Sequence, residues 1–227
     1  MESKPSEPKL YEQNEVVVPY KLYTGKLLEQ IDCLYTESRE LLSLSDLLER
    51  RLEVLSSDYS KEVQDFWLNS MLYSCDGILR KDNKVKFVKD LVGIISYYES
   101  HLGFSNGALV MDNEVYNRTD GLELSLENLK KYISKNNTKE EGVRNPILNY
   151  FIPNPDLLKE YFSAAVKLSK EDKLLGVFID DPQKDKTTVR IAYLSTLMDQ
   201  SKVCVYHHLD QSNAGKIVGA LAKKLRT

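Results

Sequence analysis

The chain has 227 residues, 42% of them hydrophobic and 29% charged, with a formal net charge of −3. That length fits one large or two small domains and buries roughly 70% of the unfolded surface, so no covalent staple is required. The mildly acidic balance excludes a global field that would collect nucleic acid or anionic membrane.

Residues 1–19 are polar over most of their length, with Pro5 and Pro8, and read as a disordered or extended tail ending in Val16, Val17 and Val18 before Pro19. Between Gly25 and Gly77 there is neither Gly nor Pro. Leu27, Leu34, Leu41, Leu48 and Leu55 recur every seven residues, which predicts an amphipathic helical pattern over most of 22–56. As one coiled-coil-like helix it would be about 50 Å long. Ser38 and Ser45 interrupt the apolar seam, and Ser43 followed by Asp46 reads as a restart, so two helices meeting near residue 44 are the alternative.

Val63, Phe66, Trp67, Met71, Cys75 and Ile78 fall at three- and four-residue spacing and predict a second helix. Asp82-Asn83 marks a break. Val85, Val88, Leu91, Val92, Ile95, Tyr98 and Leu102 predict a third, closed by Gly103. Residues 20–103 are therefore expected to form a helical bundle.

Residues 104–227 are expected to be an α+β part. Gly107–Tyr116 reads as a strand, a turn and a second strand that join the C-terminal strands. Ser125 is placed to cap a helix to about Ser134, and 134–142 is a polar loop inside this part. Asn154-Pro155 starts a helix. Strands follow at 174–180, 189–194 and 203–207, the first two linked as a hairpin through 181–185, and Ser212 opens a basic final helix. The predicted fold class is α+β: an N-terminal helical bundle, then a small mixed or antiparallel sheet with packed helices.

The leucine series offers either a protein-binding or self-association seam or an internal bundle face. Asp180-Asp181 follows an apolar strand. Adjacent carboxylates there suit a divalent metal and phosphoester hydrolysis, with His207 or His208 as general base, whereas Asp-Asp-Pro is also ordinary turn chemistry. Cys204 with His207 has half the spacing of a zinc site, but one strand cannot aim both at one metal, so burial explains Cys204. Basic residues cluster at Lys130, Lys131, Lys135 and Lys139. A second group is Lys216, Lys223, Lys224 and Arg226, a candidate nucleic-acid contact that the helix dipole also explains.

Cys33, Cys75 and Cys204 are odd in number, far apart and without a CxxC pair, the usage of a reducing compartment. No P-loop and no GxGxxG occurs, so no cofactor is expected. The chain shows no signal-peptide run and no membrane-length apolar stretch. The expected setting is the cytoplasm, or the nucleus in a eukaryote. The expected function is a non-catalytic adaptor or complex subunit that binds protein partners through helical surfaces. A metal-dependent phosphoester hydrolase or nuclease on Asp180 and Asp181 is the alternative, and nucleic-acid binding through the C-terminal basic residues the third reading.

Overall fold

The computed structural model describes residues 10–11, 20–98, 103–105, 107–169, 175–179, 187–197, 201–205 and 216–221. The rest of the expected 1–19 tail and the 181–185 linker lie outside them. The N-terminal part begins with strands β1 (Leu10–Tyr11) and β2 (Tyr20–Thr24), helix α1 (Leu27–Thr36) and strand β3 (Arg39–Leu41). Helices α2 (Leu44–Ser56) and α3 (Lys61–Asn69) follow, then strands β4 (Leu72–Lys81) and β5 (Lys84–Val88) and helix α4 (Leu91–Tyr98). Beyond residue 102 come β6 (Gly103–Ser105), β7 (Ala108–Met111), α5 (Asn113–Arg118), β8 (Leu122–Ser125) and α6 (Leu126–Leu129). The chain continues with α7 (Lys139–Arg144), α8 (Pro146–Phe151), α9 (Pro155–Ser169), β9 (Val177–Ile179), β10 (Thr187–Leu194), β11 (Val203–Val205) and β12 (Lys216–Leu221).

These strands form one curled sheet with the central order β1-β2-β12-β4-β10-β11-β9. Most ladders are antiparallel; β12 with β4 and β11 with β9 are parallel. Strand β12 lies between β2 and β4, so the last described element closes the first part of the sheet.

Alternate residues feed two apolar clusters on opposite faces, as the pleat dictates. Leu72, Ile78, Val85, Phe87, Ala192, Leu194, Val203 and Val218 join one cluster, covered by α2, α3, α8 and α9. Tyr73, Cys75, Leu79, Val88, Val189, Ile191, Cys204 and Ile217 join the other, covered by α1, α4 and α5. Gly77 marks a close approach: a Cβ there would stand 2.3 Å from the Arg190 carbonyl oxygen and 2.5 Å from Leu91. Only glycine lets β10 and α4 both close on β4 at that point.

The expected helical bundle over 20–103 and the coiled-coil-like helix are therefore incorrect. Residues 22–56 hold two helices separated by a strand. Ser38, at φ 53°, ends α1, and its amide bonds the Tyr35 carbonyl at 2.9 Å. The Ser43–Asp46 capping box then starts α2. The predicted second helix stops at Asn69, and Cys75 and Ile78 belong to β4. The predicted third helix is β5 followed by the short α4. The reason is burial on both faces: β4 is buried along nine of its ten residues, which removes the polar–apolar alternation that betrays a strand. Asp82-Asn83 is a two-residue hairpin turn, with Asp82 at φ 51° and Lys81 opposite Lys84.

Three later expectations also change. The second strand expected near residue 116 is helix α5, capped by Asp112. Strands β9 and β10 do not form a hairpin; both pair with β11, which lies between them. The stretch expected as a final helix contains β12, whose Ile217 and Val218 go to opposite faces. Strand β7 does join the C-terminal strands, with Thr187–Val189 opposite Met111–Leu109.

The helices over the first face are tied together by Arg51, which is fully buried. Its Nε donates to the Trp67 carbonyl at 2.9 Å and its Nη2 to the Ser70 carbonyl at 3.0 Å. Its Nη1 donates to Tyr161 Oη at 3.0 Å and Ser201 Oγ at 3.2 Å, and those two hydroxyls bond each other. Four neutral oxygens thus replace water around the cation, from α3, the turn after it, α9 and the approach to β11. Arg51→Met keeps much of the bulk and leaves these oxygens without their donor. A loss of about 3–5 kcal/mol in urea unfolding is expected. A loss below about 1 kcal/mol would show that the network contributes little.

Candidate functional site

The expected partner-binding leucines do not form one surface stripe. Leu27, Leu34 and Leu41 are buried on the face that carries α1. Leu48 is buried on the opposite face, with Leu55 partly buried beside it. The sheet stands between the two groups, so the seven-residue spacing reflects two separate cores. Cys75 and Cys204 are buried in the α1-side cluster, and burial pushes the Cys75 thiol well above its usual range. Lys216 extends along the sheet, with Nζ 3.4 Å from Ser70 Oγ and over the Phe66 ring. Asp180, Asp181, His207, His208, Lys223, Lys224 and Arg226 lie outside the described residues. Among the described residues, no three His, Cys, Asp or Glu side chains are grouped to hold a metal, and no helix is long and apolar enough to cross a membrane.

A different site comes from α2. Asp46, Glu49, Arg50 and Glu53 stand at positions i, i+3, i+4 and i+7, and so share one helical face. They line a cleft of about 390 Å³ together with Tyr20 of β2, Glu40 and Leu41 of β3, the following Leu42, and Ala220 of β12. Among the described lining residues, four carboxylates and one guanidinium give a net negative charge.

Arg50 organises the floor of the cleft. Its side chain is 3% exposed and donates to Glu53 Oε2 at 2.6 Å and Tyr59 Oη at 3.1 Å. The guanidinium lies 4.9 Å from the Tyr20 ring, 4.8 Å from Tyr59 and 5.3 Å from Trp67. Such stacking favours a desolvated cation. Tyr59 Oη donates in turn to Glu53 Oε1 at 2.7 Å. Partial burial raises the Glu53 carboxyl, but the bonds from Arg50 and Tyr59 outweigh it and hold the group below its usual range. Burial likewise works against the charge on Arg50, and the Glu53 and Tyr59 bonds raise it. Both shifts describe one tightened ion pair.

The other carboxylates divide by role. Asp46 Oδ2 is taken by Ser43, accepting from its amide at 3.0 Å and its hydroxyl at 2.6 Å. Glu40 and Glu49 are exposed, and their carboxylates carry no hydrogen bond or ion pair among the described residues. They are the charges the cleft presents outward. The i, i+3, i+4, i+7 row is visible in the sequence, but the leucine pattern on the same helix overshadows it. Tyr20, Glu40 and Ala220 join it only through the sheet.

Asp76 of β4 fixes where α2 begins. Its Oδ2 accepts from the Leu44 amide at 2.7 Å, and its Oδ1 from the Asp90 amide at 3.3 Å, just before α4. Burial is the main influence and pushes the carboxyl up from 3.8 to about 6, against the Leu44 and Asp90 amides that lower it.

No protein-family model matches the chain, and no curated protein matches it. The fold does have a solved counterpart, described as the accommodation of massive sequence variation in Nanoarchaeota by the C-type lectin fold. It matches with a TM-score of 0.67 over 96% of this chain and 100% of that one, at 13% identity. At that identity the likeness is one of fold. The sheet-dominated half-barrel is thus similar to a C-type lectin fold, in place of the expected helical bundle.

The raised Asp76 pKa makes stability pH-dependent. Between about 4 and 6 the folded chain holds a proton that the unfolded chain has released. The unfolding free energy therefore falls as pH rises through that window and levels off above it, by about 3 kcal/mol in total from this group. Asp76→Asn removes the titration, so its stability curve from about pH 4 to 7 should be flatter than the wild type's. Equal slopes in denaturant titrations would contradict the assignment.

Proposed function

We propose that the chain is a non-catalytic binding protein, an adaptor or subunit of a larger assembly, that engages a cationic segment of a protein partner at the α2–β3 cleft. The carrying observation is the placement of exposed Glu40 and Glu49 over a floor fixed by the Arg50–Glu53–Tyr59 network. Carboxylates held at the rim of a preorganised cleft complement lysine or arginine side chains and steer their approach. The reading keeps the expected helical contact surface but moves it from the leucines to the polar face of α2. The neighbour's fold, described as one that accommodates massive sequence variation, supports a scaffold whose surface is free to serve recognition.

Titration with a labelled oligolysine peptide tests this. Binding should weaken as salt rises, because exposed charges are screened. The Glu40→Lys/Glu49→Lys pair, checked for an unchanged unfolding midpoint, should weaken it at least ~tenfold, or ~1.4 kcal/mol. Binding that is absent, or unchanged in this variant, would rule out the cleft as the contact site.

A further inference from the structure

The acidic cleft leaves the basic residues at the end of the sequence unused. Lys216 lies along the sheet against Ser70 and Phe66. Lys223, Lys224 and Arg226 belong to residues 222–227, which follow β12 and lie outside the described residues. That segment reads Ala-Lys-Lys-Leu-Arg-Thr, with three cations and no acid.

The register of β12 sets where the segment begins. Ala220 pairs with Glu40 of β3, and Gly219 with both Leu41 of β3 and Lys21 of β2. Ala220 thus stands in a row between Tyr20 and Glu40, and all three line the acidic cleft. Leu221 comes next, opposite Arg39. The segment therefore starts two positions beyond a residue of the cleft wall. Its six residues reach about 20 Å when extended, enough to cross a cleft of about 390 Å³.

Charge selects this segment. Glu40 and Glu49 are exposed, with no hydrogen bond or ion pair among the described residues. Lys21 and Arg39 of the flanking strands are drawn to Glu37 instead. The other segment that adjoins the cleft, residues 12–19 before Tyr20, carries Glu12 and Glu15 and no cation.

We propose that residues 222–227 occupy the cleft in the unbound chain, with Lys223, Lys224 and Arg226 set against Glu40 and Glu49, and that a partner's cationic segment must displace them. The displacement step rests on the cationic-partner reading above; the contact itself does not. Attachment to β12 gives the segment an effective concentration on the order of millimolar, so ion pairs that are weak between free molecules suffice to hold it.

Two readouts on the full chain test this, and the first needs no partner. In NMR spectra, Lys223→Ser/Lys224→Ser/Arg226→Ser, or removal of 222–227, should shift the backbone amides of Glu49, Arg50 and Glu53 while most other signals stay in place. The second is the titration with labelled oligolysine. A cleft filled about four-fifths of the time by its own segment binds about fivefold more weakly than a free one, so both variants should bind about fivefold more tightly than the wild type. Lys130→Ser/Lys131→Ser/Lys135→Ser removes as much charge elsewhere and should change affinity less than ~twofold. Unshifted α2 amides in both variants overturn the proposal, as does equal oligolysine affinity in the variants and the wild type. An equal gain in the Lys130 control overturns it too, because net charge would then account for the effect. Shifted amides with no oligolysine binding by any form uphold the contact and remove only the partner reading.

Discussion

Burial of β4 on both faces is the constraint on which the rest of the architecture depends. A strand with apolar or satisfied groups on each side must be covered twice, so helices are required over both surfaces of the sheet. Two distinct cores follow, one under α2, α3, α8 and α9, the other under α1, α4 and α5. Strand β4 can be the common wall because its neighbours come from distant parts of the chain: β5 by a hairpin, β10 across its length, and β12 at its start. The close approach at Gly77 shows how little space that arrangement leaves.

Two buried ionisable groups then set the helices on the first face. Arg51 draws its acceptors from segments that only the tertiary fold brings together, and Asp76 takes up the amides at the starts of α2 and α4. Neither group has a charged partner in direct contact through these bonds. Each is instead solvated by backbone or hydroxyl groups, which is how a protein carries a desolvated charge without a counter-ion. The consequence for function is positional. With its first turn held by Asp76 and its middle by Arg51, α2 presents Asp46, Glu49, Arg50 and Glu53 in a fixed row.

The α2–β3 cleft depends on this rigidity. The described lining of the α2–β3 cleft is acidic, with the Arg50 guanidinium stacked among three rings and paired to Glu53.

Local chemistry alone determined a good deal. The Ser43–Asp46 box, the Ser125 cap and the Asn154-Pro155 start are all realised, because a cap needs only residues three or four apart. Strands were legible around β9, β10 and β11, where β-branched residues concentrate between turn signals. The region 72–88 was not legible as strands, since a doubly buried strand and a buried helix share the same apolar density, and spacing cannot separate them. Nor was it legible that Leu27 and Leu48 belong to different cores, or that Glu40 and Glu49 line one cleft. Those relations depend on β12 entering between β2 and β4, a pairing between segments nearly the whole chain apart. Caps and turns follow from neighbours along the chain, whose geometry the backbone sets directly; only long-range strand pairing decided which side chains would meet.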